Sequence, residues 1–253
     1  MKDNLIYLYD GTFLNLISLI NHLLKFKIKP LNICDENKYI SSLLEEPVRL
    51  ELEQVKISNM KISSNILKTI YYVFLSEEEN KELIIYYFWL NSLKYQNKIF
   101  YMRNLKCVSS ALKISKYVNN ENHKLKGFLR FREINNHILY AEISPTNNVL
   151  ELLSKHFAKR LKNEYWIIYD IGRNRYSIYD KKRYYIVSKD NINLDNIKLD
   201  KEEKDIENLW LTFFETIGIE ERKNKRCQMN FMPKKYWKYM IEMESAYEKG
   251  DNG

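Results

Sequence analysis

The stretch from Leu125 to Val187 sets the fold class. Leu125 to Ile134 and Ile138 to Ile143 are rich in apolar, β-branched and aromatic residues, with Asn135-Asn136-His137 between them. Asparagine tolerates the positive φ of a tight turn, so this pair predicts a β-hairpin. Ser144-Pro145-Thr146-Asn147 then opens a helix with Val149, Leu150, Leu152, Leu153, Phe157 and Leu161 on its apolar side. Three more strand-like runs follow, Trp166 to Tyr169, Tyr176 to Tyr179 and Tyr184 to Val187. The turn Gly172-Arg173-Asn174-Arg175 separates the first two. The order β-β-α-β-β-β with tight connections predicts an α+β arrangement. Its centre is a mainly antiparallel sheet over about residues 124–188 with a packed helix.

The N-terminal half reads as largely helical. Leu5 to Tyr9 is a short buried strand, and the turn Asp10-Gly11-Thr12 leads into helical spacing from Phe13 to Leu24. A capped helix with Gly11 at the bend is the preferred reading over a phosphate-binding turn, because one glycine is a weak phosphate signal. Residues 28–60 are mixed, and Val48 to Ile57 reads as a short strand or a linker. Helix resumes at Ile62. Ser76 with Glu79 forms a capping box for a helix through about Leu93. A further helix covers Leu105 to Val118 and ends at Asn119-Asn120-Glu121-Asn122. Beyond a polar connector, Asp190 to Lys204, two closing helices are expected, Ile206 to Ile219 and one opened by Pro233 through about Tyr247. The expectation is a single α+β domain over 1–253, with a helical subregion at about 61–120, a sheet subregion at about 124–188, and the first strand able to join that sheet.

Composition removes several function classes. Six glycines in 253 residues argue against a Gly-rich nucleotide loop. Cys34, Cys107 and Cys227 form no CxxC, which argues against zinc ribbons, thioredoxin-type sites and Cys-ligated clusters. An odd, scattered cysteine count suits a reducing cytoplasm. No apolar run reaches a membrane-spanning length and the N-terminus does not read as a signal peptide, so no membrane partner is expected. No cofactor and no metal are expected either.

The basic residues cluster. Residues 222–240 hold Arg222, Lys223, Lys225, Arg226, Lys234, Lys235 and Lys238 with no acidic residue, interleaved with Tyr236, Trp237 and Tyr239. Residues 155–183 hold nine basic against three acidic residues. The combined excess is larger than the net +8 of the whole chain, so the remainder is net acidic. Such polarity fits a one-faced nucleic-acid footprint, with cations on phosphates and aromatics on unpaired bases. It fits equally a solvated helix face and a basic hairpin with Trp237 in the core. Period-two alternation from His123 to Glu133 puts Phe128, Arg130 and Arg132 on one strand face, to meet a phosphate or to pair with Glu142. Arg173 and Arg175 project from a tight turn. Lys234, Lys235 and Lys238 fall on the first turns of the last helix, where positive charge opposes the helix dipole unless an anion is bound. The expected nucleic-acid site is a groove of Arg173, Arg175, Arg222, Lys225, Arg226, Lys234, Lys235, Trp237 and Lys238, with Arg130 or Arg132 near its floor.

Catalytic candidates are weaker: His123, Glu142, His156 and Asp170. His156 precedes Arg160 by four residues and shares its helix face. Asp170, Asp180 and Glu142 could hold Mg²⁺ in a nuclease-like site, although such carboxylates near strand ends are commonly structural.

Several motifs together resemble one bacterial family. They are Tyr9-Asp10-Gly11-Thr12-Phe13, His123 with Gly127-Phe128-Leu129-Arg130-Phe131, and Leu139-Tyr140-Ala141-Glu142-Ile143-Ser144-Pro145. His156-Phe157 with Arg160, Trp166 to Asp170 with Arg173, Tyr179-Asp180, and Met232 to Lys238 complete the set. The chain resembles the family labelled "probable DNA metabolism protein". The resemblance runs along nearly the whole chain and is faint between about 28 and 60. It implies a DNA context, since members are encoded beside a radical SAM protein of DNA modification or repair, or fused to a uracil-DNA glycosylase-like domain. It supplies no established reaction. A radical SAM enzyme needs CxxxCxxC, which is absent here, so the resemblance implies the companion of such an enzyme. The expectation is a DNA-binding accessory protein in DNA repair or modification. The alternatives are an enzyme acting on nucleic acid, of nuclease or glycosylase type, and a protein-interaction scaffold with a basic face.

Overall fold

The computed structural model describes residues 5–40, 47–52, 62–134, 138–191, 229, 231–240 and 243. The chain divides into two compact units, Met1–Asn119 and Asn120–Gly253. It is α+β, with a parallel sheet in the first unit and a mixed sheet in the second.

In the first unit, strand β1 (Ile6–Tyr9) is central, with parallel neighbours β2 (Asn32–Asp35) and β3 (Val48–Arg49). The opening strand therefore builds its own parallel sheet and does not extend the later one. Helix α1 (Phe13–Lys25) connects β1 to β2. Thr12 caps it, accepting from the Asn15 amide, and Asp10 Oδ1 accepts from the Thr12 amide and hydroxyl at 2.8 and 2.7 Å. A carboxylate thus occupies this N-terminus, which agrees with the capped-helix reading. Leu16, Ile17, Leu19, Ile20 and Leu23 bury the inner face, each such side chain stabilising by about 1.5–3 kcal/mol.

Helices α2 (Ser64–Phe74) and α3 (Lys81–Tyr95) follow, then a 3-10 helix (Gln96–Tyr101). The expected capping box at Ser76 is not formed. Ser76 lies in the turn after α2, its hydroxyl donating to the Val73 carbonyl, and α3 starts only after Asn80, which has φ 56°.

Helix α4 (Lys106–Phe128) runs straight through Asn119 to Asn122, where the sequence predicts an end, and takes in residues 125–128, expected as strand. One buried stripe explains both differences. Val108, Ala111, Ile114, Val118, Glu121, Asn122 and Leu125 recur at helical spacing and are all buried. Packing along that stripe outweighs the turn preference of the asparagines.

In the second unit the sheet order is β4 (Arg132–Ile134), β5 (Ile138–Ile143), β6 (Tyr165–Asp170), β7 (Arg175–Tyr179) and β8 (Tyr184–Ser188). The β5–β6 pair is parallel and the other three pairs are antiparallel. The parallel pair needs a crossover, and α5 (Leu150–Arg160) supplies it. Leu150, Leu153 and Phe157 of α5 are buried, as are Ala141, Ile143, Trp166, Ile168 and Tyr179 of the sheet. Trp166 stacks on Tyr179 at 5.0 Å, and the Ser154 and Ser177 hydroxyls lie 2.6 Å apart between helix and sheet. The other face carries a cluster of Ile167, Tyr169 and Tyr176. The expected helix after Pro233 begins as a 3-10 helix, Lys234–Tyr239, and Met243 beyond it is helical. The helix predicted over 206–219 lies outside the described residues.

Candidate nucleic-acid interface

The second unit gathers charged side chains around the loop that leaves the carboxyl end of β5. That loop must expose backbone groups, because residues 144–149 lie between a strand and a helix. Glu121, on α4, satisfies two of its amides. Its carboxylate accepts from the Thr146 amide at 2.9 Å and the Asn147 amide at 2.8 Å. It also accepts from Asn147 Nδ2 at 2.6 Å, Lys235 Nζ at 2.7 Å and the Tyr236 hydroxyl at 3.1 Å. Glu121 is only 4% exposed. Burial pushes its carboxyl up, but Lys235 and the amides of Thr146 and Asn147 together outweigh that and hold it below the usual range.

The carbonyls of the same loop are taken from the other side. Arg173 donates to the Pro145 carbonyl at 3.2 Å and to the Thr146 carbonyl at 2.7 Å. It also pairs with Asp170 Oδ2 at 3.4 Å. Asp170 is fully buried, and its Oδ1 has no hydrogen-bond partner. Burial raises the Asp170 pKa against the opposing pull of Arg173 and the amides of Arg173 and Gly172. Lys235 Nζ reaches the Thr146 hydroxyl at 2.9 Å. Arg173 and Lys235, 62 positions apart in sequence, therefore both reach Thr146.

Their charges, however, serve the loop. Arg173 is folded back with 18% of its side chain exposed, and does not project from the turn. The turn itself is a short 3-10 helix (Ile171–Arg173) ended by Asn174 at φ 50°. Lys235 has Glu121 as its counter-ion, so its place near a helix start calls for no bound anion. The dipole argument weakens further because Lys234–Tyr239 is a short 3-10 helix. Trp237 is a core residue, packed with Met240 and Met243 and donating from its indole to the Met232 carbonyl at 2.8 Å. It offers no stacking platform.

A cavity of about 210 Å³ opens along the β4–β5 edge. Arg130, Arg132 and Lys238 line it, together with Tyr140, Tyr239 and Glu142. Arg130 lies in the loop after α4, where its guanidinium donates to the Gly127 carbonyl at 2.7 Å. Arg132 opens β4 opposite Tyr140. The two arginines thus share a site although Phe128 still belongs to the helix. The partner of Glu142 among the described residues is the Tyr140 hydroxyl, at 2.9 Å.

A family model described as a domain of unknown function, DUF4130, matches residues 78–242. The chain belongs to that family. Searches of curated proteins and of solved structures each found no match. The DUF4130 match contains the whole loop clamp and all six of the cavity-lining residues named above.

The remaining predicted residues of this DUF4130 chain separate. Lys234 and Arg175 are exposed. Arg222, Lys225 and Arg226 lie outside the described residues. The three carboxylates of the nuclease-like reading do not converge. In the β5–β6 register Glu142 pairs with Tyr169 and Asp170 with Ile143, so Glu142 and Asp170 point to opposite sheet faces. Asp180 lies at the other end of the β6–β7 hairpin, bonded to the amides of Lys182 and Arg183. Among the described residues no group of three His, Cys, Asp or Glu could hold a metal. His123 is an exposed residue of α4. His156 is half-buried on α5, its Nε2 lacks a partner, and burial with Lys126 and Arg160 lowers its pKa. Sequence reasoning missed Glu121, Thr146 and Asn147 as a charged anchor. The signal was present: a carboxylate on a largely apolar helical stripe needs donors.

Proposed function

We propose that this chain is a DNA-binding accessory protein in DNA repair or modification. The observation that carries the reading is the convergence of Arg130, Arg132 and Lys238 on one cavity with Tyr140 and Tyr239. Arg130 and Arg132 are neighbours in sequence, and the fold adds Lys238 from a 3-10 helix more than 100 positions further on. Guanidinium forks match phosphate oxygens, and tyrosine rings suit the faces of unpaired bases. The Ser144–Asn147 clamp fixes β5 against the Lys234–Tyr239 segment, which holds Lys238 in register with the arginines.

The test is DNA binding by fluorescence anisotropy at several salt concentrations, with Arg130, Arg132 and Lys238 together replaced by Ala. Binding should weaken, and the slope of log affinity against log salt should flatten by about 0.7–0.9 for each lost phosphate contact. Equal binding by parent and variant at every salt concentration would remove this surface from consideration. A radical SAM protein, implied by the resemblance, is part of the same proposal. Co-purification from cells expressing both proteins tests it, with retention expected and its absence, with and without DNA, counting against the partnership.

A further inference from the structure

The first unit contains a second cavity, of about 480 Å³, which lies within the size range of small-molecule sites. Tyr9 and Asp35, the last residues of the parallel strands β1 and β2, both line it. Open parallel α/β sheets bind ligands outside the carboxyl ends of their strands.

Two carboxylates give this cavity a chemistry. Glu82 lines it and is nine-tenths buried. The Tyr9 hydroxyl donates to its Oε1 at 2.9 Å, and its Oε2 has no hydrogen-bond partner among the described residues. The second oxygen, not bonded to Tyr9, is placed to accept from a ligand that donates a hydrogen bond. Asp35 is held in a fixed orientation. Its Oδ1 accepts from the amide and the side-chain nitrogen of Asn37, both at 3.0 Å. Its Oδ2 lies over Gly11, 2.9 Å from where a Cβ would stand. Gly11 has φ +79°, so the β1–α1 turn passes close beneath that carboxylate. In sheets of this kind, an acidic residue roughly 20 residues beyond the first glycine turn, at the end of the second strand, takes the ribose hydroxyls.

The same residues argue against a phosphate. Glu77, Glu78 and Glu79 also line the cavity, so its wall is net acidic even with Lys38 and Lys81. Lys38 is paired with Glu77, and Lys81 donates to the Phe74 and Ser76 carbonyls. The N-terminus of α1 already carries the Asp10 carboxylate.

From this geometry we infer that the cavity binds the ribose of an unphosphorylated ribonucleoside, its vicinal diol donating to Asp35 and a further donor of the ligand meeting Glu82. This site is independent of the DNA-binding surface proposed above.

The test is isothermal titration of the full chain with adenosine, guanosine, cytidine and uridine. At least one should bind with a dissociation constant below about 1 mM. Its 2′,3′-dideoxy analogue should bind at least about tenfold more weakly, since charge-assisted hydrogen bonds are lost. Its 5′-triphosphate should also bind more weakly than the nucleoside. Asp35→Asn and Glu82→Gln, both isosteric, should each weaken binding by about tenfold while melting like the parent. The analogue comparisons use the parent protein, so they decide the question even if a variant fails to fold. Failure of all four nucleosides to bind overturns the inference, as does equal binding of the dideoxy analogue or preference for the triphosphate. Binding of putrescine with no nucleoside bound would also overturn it, showing a general cation site.

Discussion

Replacing Glu121 by Gln tests the loop clamp most directly. The carboxylate accepts five hydrogen bonds, from Thr146, Asn147 twice, Lys235 and Tyr236. The glutamine amide keeps one oxygen and turns an NH₂ group toward donors of which only the Tyr236 hydroxyl can also accept. Leaving one or two buried donors unsatisfied costs about 1–3 kcal/mol each, and the bonds that remain lose their charge assistance. The loss should be about 3 kcal/mol, in the range found when one partner of a buried ion pair is removed. In urea, at a slope of about 3 kcal/mol per molar for a chain of this size, the midpoint should fall by about 1 M. Lys235→Met should cost less, about 1 kcal/mol, because the lysine is 42% exposed and the other donors remain. The pH dependence has a defined sign. Glu121 has a lowered pKa in the folded chain, so its contribution is complete above the ordinary glutamate value of about 4.3. It is lost as pH falls through the folded-state value. The gap between parent and Glu121→Gln should therefore narrow in acid. A midpoint within about 0.2 M of the parent at pH 7 would refute the clamp as a source of stability, and a gap unchanged down to the lowest accessible pH would refute the role of the charge.

Asp170→Asn should reverse the pH trend: the folded-state pKa of Asp170 is raised, so its contribution is present in acid and is lost as pH rises from the ordinary value of 3.8 through the folded one. The stability of the parent relative to the Asn variant should therefore fall across that window in urea titrations. Gly11→Ala should lower the melting temperature, costing about 1–3 kcal/mol, because φ +79° strains an alanine and its Cβ would stand 2.9 Å from Asp35 Oδ2.

The fold was legible wherever local pattern and tertiary packing agree. Trp166 to Tyr169 and Tyr176 to Tyr179 alternate or run apolar, turn at Gly172 to Asn174, and pair as expected. The parallel β5–β6 pair was harder to see, because alternation reports burial and says nothing of strand direction. The crossover helix between the two strands carried that information. The errors at Asn119 to Phe128 and at Ser76 share one cause. Local signals, a run of asparagines and a Ser-x-x-Glu spacing, were read alone. In the first case tertiary burial of Val118, Glu121, Asn122 and Leu125 decided the outcome. In the second, the Ser76 hydroxyl found the nearer Val73 carbonyl of the preceding helix.

The site shows where charge counting stops being informative. Arg173, Lys235 and Lys238 belong to the same basic signal in the sequence, yet the fold gives them different roles. Arg173 and Lys235 hold the Ser144–Asn147 loop, each beside a buried carboxylate, whereas Lys238 lines the cavity with Arg130 and Arg132. Asp170 on β6 and Glu121 on α4 fix the first two in place. A cation beside a buried carboxylate cannot be spared for a ligand without weakening that carboxylate's pairing, at a cost of about 1 kcal/mol for Lys235. Alanine at Arg173 or Lys235 should therefore act first on the stability of the loop and only through it on binding. Alanine at Arg130, Arg132 or Lys238 should act on binding directly.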